Sequence, residues 1–486
     1  MNFYGCGAYK RDYHICPERS IYDRIRRKEI AMNFTPLFRP RTLAVVGVSL
    51  TNDRHPANVI YMKNRLRQQV EVYPVNVKGG ILLGDPVFPR IVDVPHKIDL
   101  AVIAAKAEFV PEIMKDCIQA GVGGAVVVSG GFAETGREDL QEQIVSLARE
   151  ANFPFIWPNC LGIYSPPYAD TFFLPSERIV RPEKGKVAIV SQSGGILVDL
   201  MIKFAEEGVG MSLAVSIGNK AVITELEMLQ YFATDPETNV VVFYIEGFRE
   251  NEGRRFVQEA GRSPKPVVVF KSGKTPVGAK AVSSHTASMA GDYEIFRSVL
   301  AQHGIVEAKD ESELVSFCEA LSCYQNPIEG RMGIITSSGG HGATAVDACA
   351  SQGFTVPVLS EGEQAEIRKM VSPRLQTIAS FGNPIDLTGS VTDEDFMGAA
   401  KFMCEKEDVD CVLVLLLPYS PGITSDVGAR LSLLYRQKGK PLVAYVPHVE
   451  KYRMFVEGFQ FHQVPVAHSI EEAVNMAEAL RRRQPC

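Results

Sequence analysis

Short runs of apolar, mostly β-branched residues alternate with amphipathic segments along most of the chain. The first five runs cover 42–49, 70–76, 99–105, 124–131 and 153–159. Each is almost continuously apolar, as is typical of parallel strands covered on both faces. Between them, the segment 111–121 is typical of a helix that ends at Gly121. Its apolar stripe consists of Ile113, Cys117 and Ala120. This pattern predicts a doubly wound α/β unit.

The pattern restarts twice, after a Pro-rich segment at 165–186 that we interpret as a linker and again after 324–331. The further predicted strands are 187–195, 211–218, 240–247 and 266–273, and then 332–340, 354–359, 409–418 and 440–447. The sequence therefore predicts an α/β protein with three consecutive doubly wound domains. The predicted units are an N-terminal extension at 1–31 and domains at 32–162, 163–326 and 327–486.

Composition narrows the class of protein. The net charge of −6, from 51 basic and 57 acidic residues, gives no support for a nucleic-acid partner. The ten cysteines form no C-x-x-C pair, which indicates reduced thiols in the cytoplasm, and we assign no metal ligand. No apolar run reaches the length of a membrane span, and the first 31 residues lack the apolar region of a secretory signal. We therefore expect a cytoplasmic protein without a membrane partner.

Two predicted strands end in the same kind of turn. "IVSQSGG" (189–195) and "IITSSGG" (334–340) each pass through hydroxyl residues and two glycines into a helix. Free N–H groups and the helix dipole favour an anion there, and glycine lets it approach closely. Both turns are candidate phosphate cradles, although a tight βα turn that needs glycine for its own shape fits the same sequence. The candidate phosphate ligands are Ser191, Gln192, Ser193, Gly194, Gly195, Ser338, Gly339 and Gly340.

The turn after the first strand, "AVVGVS" (44–49), resembles a nucleotide-binding turn but lacks the full G-x-G-x-x-G fingerprint. The second strand is followed by Asn76 and Lys78, where an NAD-binding domain has an acidic ribose ligand. A lysine at this place favours a phosphorylated adenosine, as in coenzyme A or NADP. An exposed lysine that binds no ligand is the alternative.

One imidazole, His285, stands among small residues in "AVSSHTASMAG" (281–291), which we interpret as a loop. Neutral imidazole is a good nucleophile near pH 7, and the two helix starts would stabilise the charge of a phosphohistidine. Glu246 closes the buried run "FYIEG" and is the candidate carboxylate for the other ring nitrogen. A structural or merely exposed histidine and a surface carboxylate are the alternatives.

These motifs together resemble one family. Over about residues 35–470, the chain resembles the α subunit of ADP-forming acyl-CoA (acetyl-CoA) synthetases, within the succinyl-CoA synthetase superfamily. The resemblance implies an N-terminal Rossmann-like CoA-binding domain followed by two flavodoxin-like domains. The most specific matching segments are "VYPVN" (72–76), "DLAVI" (99–103), "PNCLGI" (158–163), "SQSGG" (191–195), "VSIGNKA" (215–221), "YIEG" (244–247), "KSGKTPVGAKAVSSHTASMAG" (271–291) and "GNPIDLTG" (382–389).

The resemblance also implies roles for individual residues. His285 corresponds to the histidine that the family phosphorylates and Glu246 to the glutamate that supports it, while the two Ser/Gly turns correspond to paired helix starts that bind the phosphate. Ala287 replaces the usual glycine of the histidine loop, which we expect to restrict how that loop swings. The implied CoA contacts are Gly47, Ser49, Asn76, Lys78, Ser129, Gly130, Asn159 and Cys160.

The implied reaction converts acyl-CoA and phosphate into acyl phosphate and CoA, and then passes the phosphoryl group through His285 to ADP. Because nothing in the sequence resembles an ATP-grasp domain, ADP or ATP with Mg²⁺ is expected on a separate β subunit, in a hetero-oligomer or homodimer. One alternative, a non-catalytic CoA-binding regulatory protein, is disfavoured by the presence of both His285 and Glu246. The other, an NAD(P)-dependent oxidoreductase, is disfavoured by the missing fingerprint.

Overall fold

The structure, a computed structural model, describes residues 32–156, 158, 160–218, 220, 222–249, 251–285, 292–461 and 463–483. The predicted extension at 1–31 and the predicted CoA contact Asn159 therefore lie outside the described residues. Ala287 and the rest of 286–291 also lie outside them, as do the side chains at 283–285. None of the helices in the described part of the chain combines the length and apolar character that crossing a membrane requires.

The first sheet has the strand order of a Rossmann fold. Its strands and an attached hairpin are β1 (Thr42–Val46), β2 (Glu71–Val75), β3 (Gly80–Leu82), β4 (Asp85–Val87), β5 (Leu100–Ile103), β6 (Gly124–Val127) and β7 (Phe155–Ile156). The parallel order is β2-β1-β5-β6-β7, and β3 pairs with β4 as an antiparallel hairpin. Phe88 forms a parallel bridge to Val75 beyond β2. Counted as a strand, it completes the order 3-2-1-4-5-6 of dinucleotide-binding sheets.

Four helices accompany this sheet: α1 (Thr35–Phe38), α2 (Pro56–Arg67), α3 (Val110–Gln119) and α4 (Glu138–Glu150). The helix predicted at 111–121 is confirmed by α3, which buries Cys117 and ends before Gly121. Gly121 has a φ of 67°, a left-handed conformation that glycine adopts without steric cost.

The second sheet has a flavodoxin-like parallel core and an antiparallel edge. Its strands are β8 (Ile163–Ser165), β9 (Ala169–Asp170), β10 (Lys184–Ser191), β11 (Met211–Ser216), β12 (Val240–Ile245), β13 (Val267–Lys271) and β14 (Val306–Ala308). The order is β14-β13-β12-β10-β11-β8-β9. The five strands from β10 to β14 are parallel and follow the 2-1-3-4-5 order, whereas β8 runs antiparallel to β11 and β9 runs antiparallel to β8. The helices are α5 (Gly194–Glu206), α6 (Glu225–Thr234), α7 (Glu252–Ala260), α8 (Pro276–His285), α9 (Tyr293–Gln302) and α10 (Glu311–Cys323).

The third sheet repeats the flavodoxin-like order and is entirely parallel. Its strands are β15 (Met332–Thr336), β16 (Ile385–Asp386), β17 (Cys411–Leu415), β18 (Leu442–Tyr445) and β19 (Val466–Ala467), in the order β16-β15-β17-β18-β19. The helices are α11 (Gly339–Ser351), α12 (Glu361–Met370), α13 (Asp393–Glu405), α14 (Val427–Lys438), α15 (Arg453–Gln460) and α16 (Ile470–Arg482). Short 3₁₀ turns along the chain are Ile91–Asp93, Ala107–Phe109, Ala133–Thr135, Ser176–Arg178, Leu375–Thr377 and Glu450–Tyr452.

Two of the sequence-based predictions about strands and linkers are wrong. The segment 165–186 is not only a linker, because β9 and the start of β10 lie within it. The predicted strand at 354–359 is replaced by one bridge, between Thr355 and Arg331. In its place the Asn383 side chain accepts from the N–H of Ile334 at 2.9 Å and donates to the carbonyl of Pro357 at 3.1 Å. A side-chain amide thus satisfies backbone groups that a strand ladder would have satisfied.

The cores lie in layers between the sheets. Alternate residues of β10 face opposite sides: Ala188 and Val190 pack with apolar residues of the first sheet, and Val187 and Ile189 pack in the core shared with the third sheet. Period-two alternation on a strand produces this division. Both faces of the second sheet are therefore buried, which explains why its strands read as continuous apolar runs.

A buried ion network joins α2 to the antiparallel edge of the second sheet. Lys63 Nζ lies 2.8 Å from Asp170 Oδ1, and Arg181 Nε lies 2.6 Å from Asp170 Oδ2. The Lys63 and Asp170 side chains are only 3% and 1% exposed. Burial lowers the pKa of Lys63 to about 8, while the Asp170 carboxylate opposes this shift. Asn64 adds two bonds of 2.8 Å to the backbone of Asp170, so α2 and β9 are held at several points.

A buried carboxyl group lies between α10 and the third sheet. Glu319 Oε1 accepts a hydrogen bond of 2.9 Å from the N–H of Val466. Burial raises the pKa of Glu319 to about 8. Its protonated form is therefore favoured in the folded protein below about pH 8.

We expect Asp170→Asn to lower the free energy of unfolding by about 3–5 kcal/mol, because Lys63 and Arg181 would keep buried charges without a counter-ion. Urea denaturation measures this change. The matched control is Asp139→Asn, which removes an exposed carboxylate that is paired with Arg137 at the start of α4 and should cost less than about 1 kcal/mol. Equal effects of the two substitutions would contradict the assignment.

Glu319 gives a pH-dependent prediction. Its folded pKa of about 8 exceeds the ordinary value of 4.5, so its contribution to stability is lost as the pH rises from about 4.5 towards 8. Glu319→Gln cannot ionise, and we expect its melting temperature to fall less than that of the wild type over this interval. Glu142→Gln, at an exposed position of α4, should follow the wild-type profile. Parallel profiles for wild type and Glu319→Gln would rule out the buried acid.

Candidate functional site

The turn between β10 and α5, residues 191–195, is here called the first glycine turn. The Ser193 N–H donates to Ser191 Oγ at 3.1 Å, and Ser191 Oγ donates to the carbonyl of Ser193 at 2.6 Å. Ser193 is the N-cap of α5 and accepts from the N–H of Ile196 at 3.4 Å. The first turn of α5 contains no acidic residue, so nothing in it neutralises the positive end of the helix dipole.

The second glycine turn, residues 336–340, has the same construction between β15 and α11. The Ser338 N–H donates to Thr336 Oγ1 at 3.1 Å, and Thr336 Oγ1 donates to the carbonyl of Ser338 at 3.2 Å. The first turn of α11 also lacks acidic residues. The predicted repeat of strand, hydroxyl, two glycines and helix is therefore confirmed as a repeated backbone structure.

The second glycine of each turn borders open space. A Cβ atom built on Gly195 or Gly340 would meet no atom within 4 Å. At Gly339 it would lie 3.0 Å from Asp386 Oδ2, and at Gly194 it would lie 3.4 Å from Leu161 Cβ. Both turns leave room for an anion, but the Asp386 carboxylate lowers the positive potential of the second turn.

Gln192 connects the first glycine turn to the end of β12. Its Oε1 atom accepts from the N–H groups of Glu246 and Gly247 at 2.7 and 3.1 Å. Its Nε2 atom donates to the carbonyl of Gly247 at 2.9 Å and to the Glu225 carboxylate. Glu246 is buried, with 6% of its surface exposed, beside the turn. The structure therefore brings the predicted residues Gln192 and Glu246 together at the point where the strand order reverses, which is the usual ligand site of such sheets.

Charged residues that the sequence analysis did not select surround this point. Lys220 Nζ donates to the carbonyl of Gly247 at 2.9 Å and lies 3.1 Å from Glu225 and 3.4 Å from Glu252. Lys220 has a φ of 47°, a left-handed conformation that costs energy for a side chain of this kind. Lys220 belongs to "VSIGNKA" (215–221), a segment that matches the family but to which no role was given. Membership of that motif is the one sequence feature that pointed to this lysine.

A second lysine supports the end of β12. Lys271 Nζ donates to the carbonyl of Glu246 at 2.7 Å. Burial lowers its pKa to about 8, against the opposing effect of Glu246. The backbone of the Glu246 segment is thus held by an amide on one side and an ammonium group on the other.

His285 is the last residue of α8, so the predicted loop at 281–291 begins as helix. The helix follows β13 and Gly273, and it therefore starts at the same edge of the second sheet as the first glycine turn. The imidazole itself is not among the described side chains. Its distance from Glu246 and from the turns stays a prediction.

His341 is a candidate that the sequence analysis missed. Its Nδ1 atom lies 3.1 Å from Ser338 Oγ, and its ring lies 6.0 Å from that of Tyr445. In the repeat, His341 occupies the position that Ile196 has in the first copy. This replacement of an apolar residue by a histidine was the sequence feature that could have identified His341 as a candidate.

Several predicted CoA contacts line the carboxyl edge of the first sheet. Gly47 has a φ of 98°, and a Cβ there would lie 2.3 Å from the carbonyl oxygen of Ala104, so this turn requires glycine. Asn76 Nδ2 donates to the carbonyl of Val48 at 2.6 Å. Ser49 accepts from the N–H of Asn52 at 3.0 Å. These bonds hold the ends of β1 and β2 in one loop cluster.

The other predicted CoA contacts differ in exposure. Ser129 Oγ accepts from the N–H of Ala105 at 3.1 Å, while Gly130 and Lys78 are exposed. The Cys160 thiol is buried, and burial raises its pKa to about 12. A ligand at this edge would therefore reach Lys78 and Gly130 more readily than the Cys160 side chain.

Two family models match the chain. A CoA binding domain matches residues 41–166, and a succinyl-CoA ligase like flavodoxin domain matches residues 184–321. These matches fall on the first and second sheets.

Curated relatives and a solved structure extend the likeness. Acetate–CoA ligase [ADP-forming] I of Archaeoglobus fulgidus is 38% identical over 386 residues, which cover 79% of this chain and 54% of that protein. The chain thus spans about half the length of this relative. Dinucleotide forming acetyl-coenzyme A synthetase 1 of Ca. Korarchaeum cryptofilum, in complex with phosphate and ADP, superimposes with a TM-score of 0.82 at 32% identity and covers 93% of this chain and 96% of that chain.

A separate subunit matches almost from end to end. Acetate–CoA ligase [ADP-forming] I subunit alpha of Pyrococcus furiosus is 31% identical over 464 residues, which cover 92% of this chain and 97% of that subunit. With the two domain models and the shared fold, this match shows that the chain belongs to the α-subunit family of ADP-forming acetate–CoA ligases.

Proposed function

We propose that the chain is the phosphoryl-carrying subunit of an ADP-forming acyl-CoA synthetase. It interconverts acyl-CoA, phosphate and ADP with a carboxylic acid, CoA and ATP, through an acyl phosphate and a phosphohistidine at His285. The repeated glycine turn is the observation that carries this proposal. Each turn presents a helix start without acidic residues and open space beside its second glycine.

The first glycine turn is the better phosphate site of the two. The buried Glu246 beside it is a suitable acceptor for the N–H of an imidazole, which would fix the ring's tautomer and raise its nucleophilicity. The Asp386 carboxylate lies beside the second turn, so we expect this turn to bind the phosphoryl group more weakly than the first.

We propose that CoA binds at the carboxyl edge of the first sheet. The turn at Gly47 permits close backbone approach, and the exposed Lys78 offers a cation for a phosphorylated adenosine. The loop cluster formed by Ser49, Asn76 and Ser129 shapes this edge without placing a carboxylate where NAD would need one.

The proposed reaction proceeds in three steps. A phosphate oxygen attacks the thioester carbonyl, the C–S bond breaks, and CoA leaves as the thiol. A nitrogen of His285 then attacks the phosphorus of the acyl phosphate, and the carboxylate leaves. ADP finally takes the phosphoryl group from His285. The protein contributes positioning and stabilisation of negative charge.

We propose that ADP is bound on a separate ATP-grasp β subunit, in a hetero-oligomer located in the cytoplasm. Mg²⁺ bound there with the nucleotide would supply charge neutralisation to the phosphates. Two observations support this arrangement. The relative from Pyrococcus furiosus is a subunit alpha, and the Korarchaeum structure is a complex with phosphate and ADP.

The phosphohistidine is tested with ³²P-phosphate and a panel of acyl-CoA thioesters, for the chain alone and with an ATP-grasp subunit. We expect acid-labile labelling of the wild type and none of His285→Asn. Glu246→Gln should be labelled at least about 100-fold more slowly, because the ring loses its orienting carboxylate.

The control for this labelling is His96→Asn, which replaces an exposed histidine in the segment before β5 and should label at the wild-type rate. Circular dichroism confirms that all variants are folded. If the wild type never labels under either condition yet binds CoA, the non-catalytic regulatory alternative is favoured instead.

Three glycines at the same helix position allow a matched test of the anion site. Gly195, Gly340 and Gly362 each occupy the second helical residue, and a Cβ on any of them meets no atom within 4 Å. Gly362 lies in α12, whose first turn already holds Glu361 and Glu363. Alanine at each position should leave stability equal to or above that of the wild type.

We expect Gly195→Ala to weaken phosphate-dependent labelling about tenfold or more, since the new methyl group occupies the space of the anion. Gly340→Ala should have a smaller effect, and Gly362→Ala none. Labelling rates at several phosphate concentrations give the comparison. A loss of labelling in Gly362→Ala as large as that in Gly195→Ala would refute the phosphate assignment.

A further inference from the structure

We infer that Glu207, His448 and His468 form a binding site for one Zn²⁺ ion between α5 and the third sheet. One ligand atom from each of the three side chains lies within 4.8 Å of the other two. Within the described part of the chain, this is the one group of three or more His, Cys, Asp and Glu residues that converges in this way. These three residues are far apart along the chain and form no sequence motif, so no metal ligand was predicted among them.

The bonds of His468 determine which ring nitrogen is available. Its Nδ1 atom lies 2.9 Å from the carbonyl of Val446, and only an N–H can make that bond. In the neutral ring Nε2 then carries a lone pair, and it lies 3.3 Å from Glu207 Oε2. Two acceptors facing each other need a proton or a metal ion between them.

A ligating histidine that donates its other ring N–H to a backbone carbonyl is the usual second-shell arrangement of zinc sites. The Val446 carbonyl provides this arrangement before any metal binds. Two imidazoles and one carboxylate are a typical Zn²⁺ ligand set, with the fourth position left to water.

The third ligand needs only a small adjustment. The His448 ring centroid lies 4.4 Å from that of His468, and the two planes are 86° apart, so the rings approach edge to face. Ligand atoms around tetrahedral Zn²⁺ lie about 3.3 Å apart, which follows from bonds of about 2.0–2.1 Å. His448 is exposed at the end of a strand and can rotate to close the remaining gap.

The ligands come from elements whose backbone positions are fixed. Glu207 directly follows α5, and its carbonyl accepts from Gln460 Nε2 at 3.4 Å. The His468 N–H donates to Glu472 Oε2 at 2.7 Å, and Glu472 in turn accepts from Ser316 Oγ at 2.7 Å. The site therefore needs no large rearrangement.

The position of the site indicates its role. Glu207 is one residue beyond the 13-residue helix α5, so it lies about 20 Å along the axis from the first glycine turn. His448 and His468 follow β18 and β19, and β19 is three strands, or about 14 Å, from the strand that carries the second glycine turn. The ion would clamp the end of α5 to the third sheet, away from the phosphate sites.

The test uses the full chain after treatment with a chelator. Isothermal titration with Zn²⁺ should show one site per chain, and Zn²⁺ should raise the melting temperature. His448→Ala and Glu207→Gln should each lower the affinity by more than about 100-fold, since even second-shell partners are worth about 10- to 100-fold. His96→Ala, another exposed histidine, should bind like the wild type.

Co²⁺ substitution identifies the ligands. We expect a visible spectrum of a tetrahedral N/O site without the thiolate charge-transfer band that cysteine ligands would give. Such a thiolate band, unchanged affinity in His448→Ala, or no Zn²⁺ binding by the wild type would each overturn the assignment. His448 is exposed, so its variant is expected to fold normally, and a changed affinity then reports on the ligand itself.

Discussion

The site depends on one constraint of parallel sheets: the carboxyl ends of neighbouring strands meet at a single edge. In the second sheet this constraint places the end of β10 beside the end of β12. The amide of Gln192 then fixes the two ends together, because its oxygen accepts from two N–H groups and its nitrogen donates to Gly247. Glu246 therefore has a defined position beside a helix start before any ligand arrives.

The acidic residues at the start of α12 distinguish it from the two helices that follow the glycine turns. α12 begins with a capping box in which Ser360 and Glu363 satisfy each other's backbone N–H groups. α5 and α11 have no acidic residue in their first turns. Their free N–H groups and dipoles remain available, and the short side chains of the glycine turns leave the approach open.

Apolar periodicity predicted the three sheets because buried parallel strands read as continuous runs. It failed at 354–359. In this apolar run the carbonyl of Pro357 accepts a hydrogen bond from the Asn383 amide, where a strand would have paired with a neighbouring strand. It also missed β9, a two-residue strand whose Asp170 is buried through ion pairs and not through apolar character. Short strands and buried charges leave no periodic signal.

The candidate site was predictable only in part. Glycine turns and a glutamate at the end of a strand are local patterns, and they were sufficient to predict Gln192 and Glu246 as site residues. The contacts of Lys220 with Glu225 and Glu252, and the meeting of Glu207 with His448 and His468, depend on tertiary packing. No single-sequence pattern encodes such distant proximity.

The ion network of Lys63, Asp170 and Arg181 has a consequence for how substrates meet. Pulling α2 away from β9 would leave buried charges unpaired, so this network opposes separation of the first two sheets at that point. Under the proposed function, the network therefore opposes a hinge motion of the first sheet that would carry a thioester to the first glycine turn. The long and flexible pantetheine arm of CoA would then have to extend from the proposed CoA site on the first sheet to the first glycine turn.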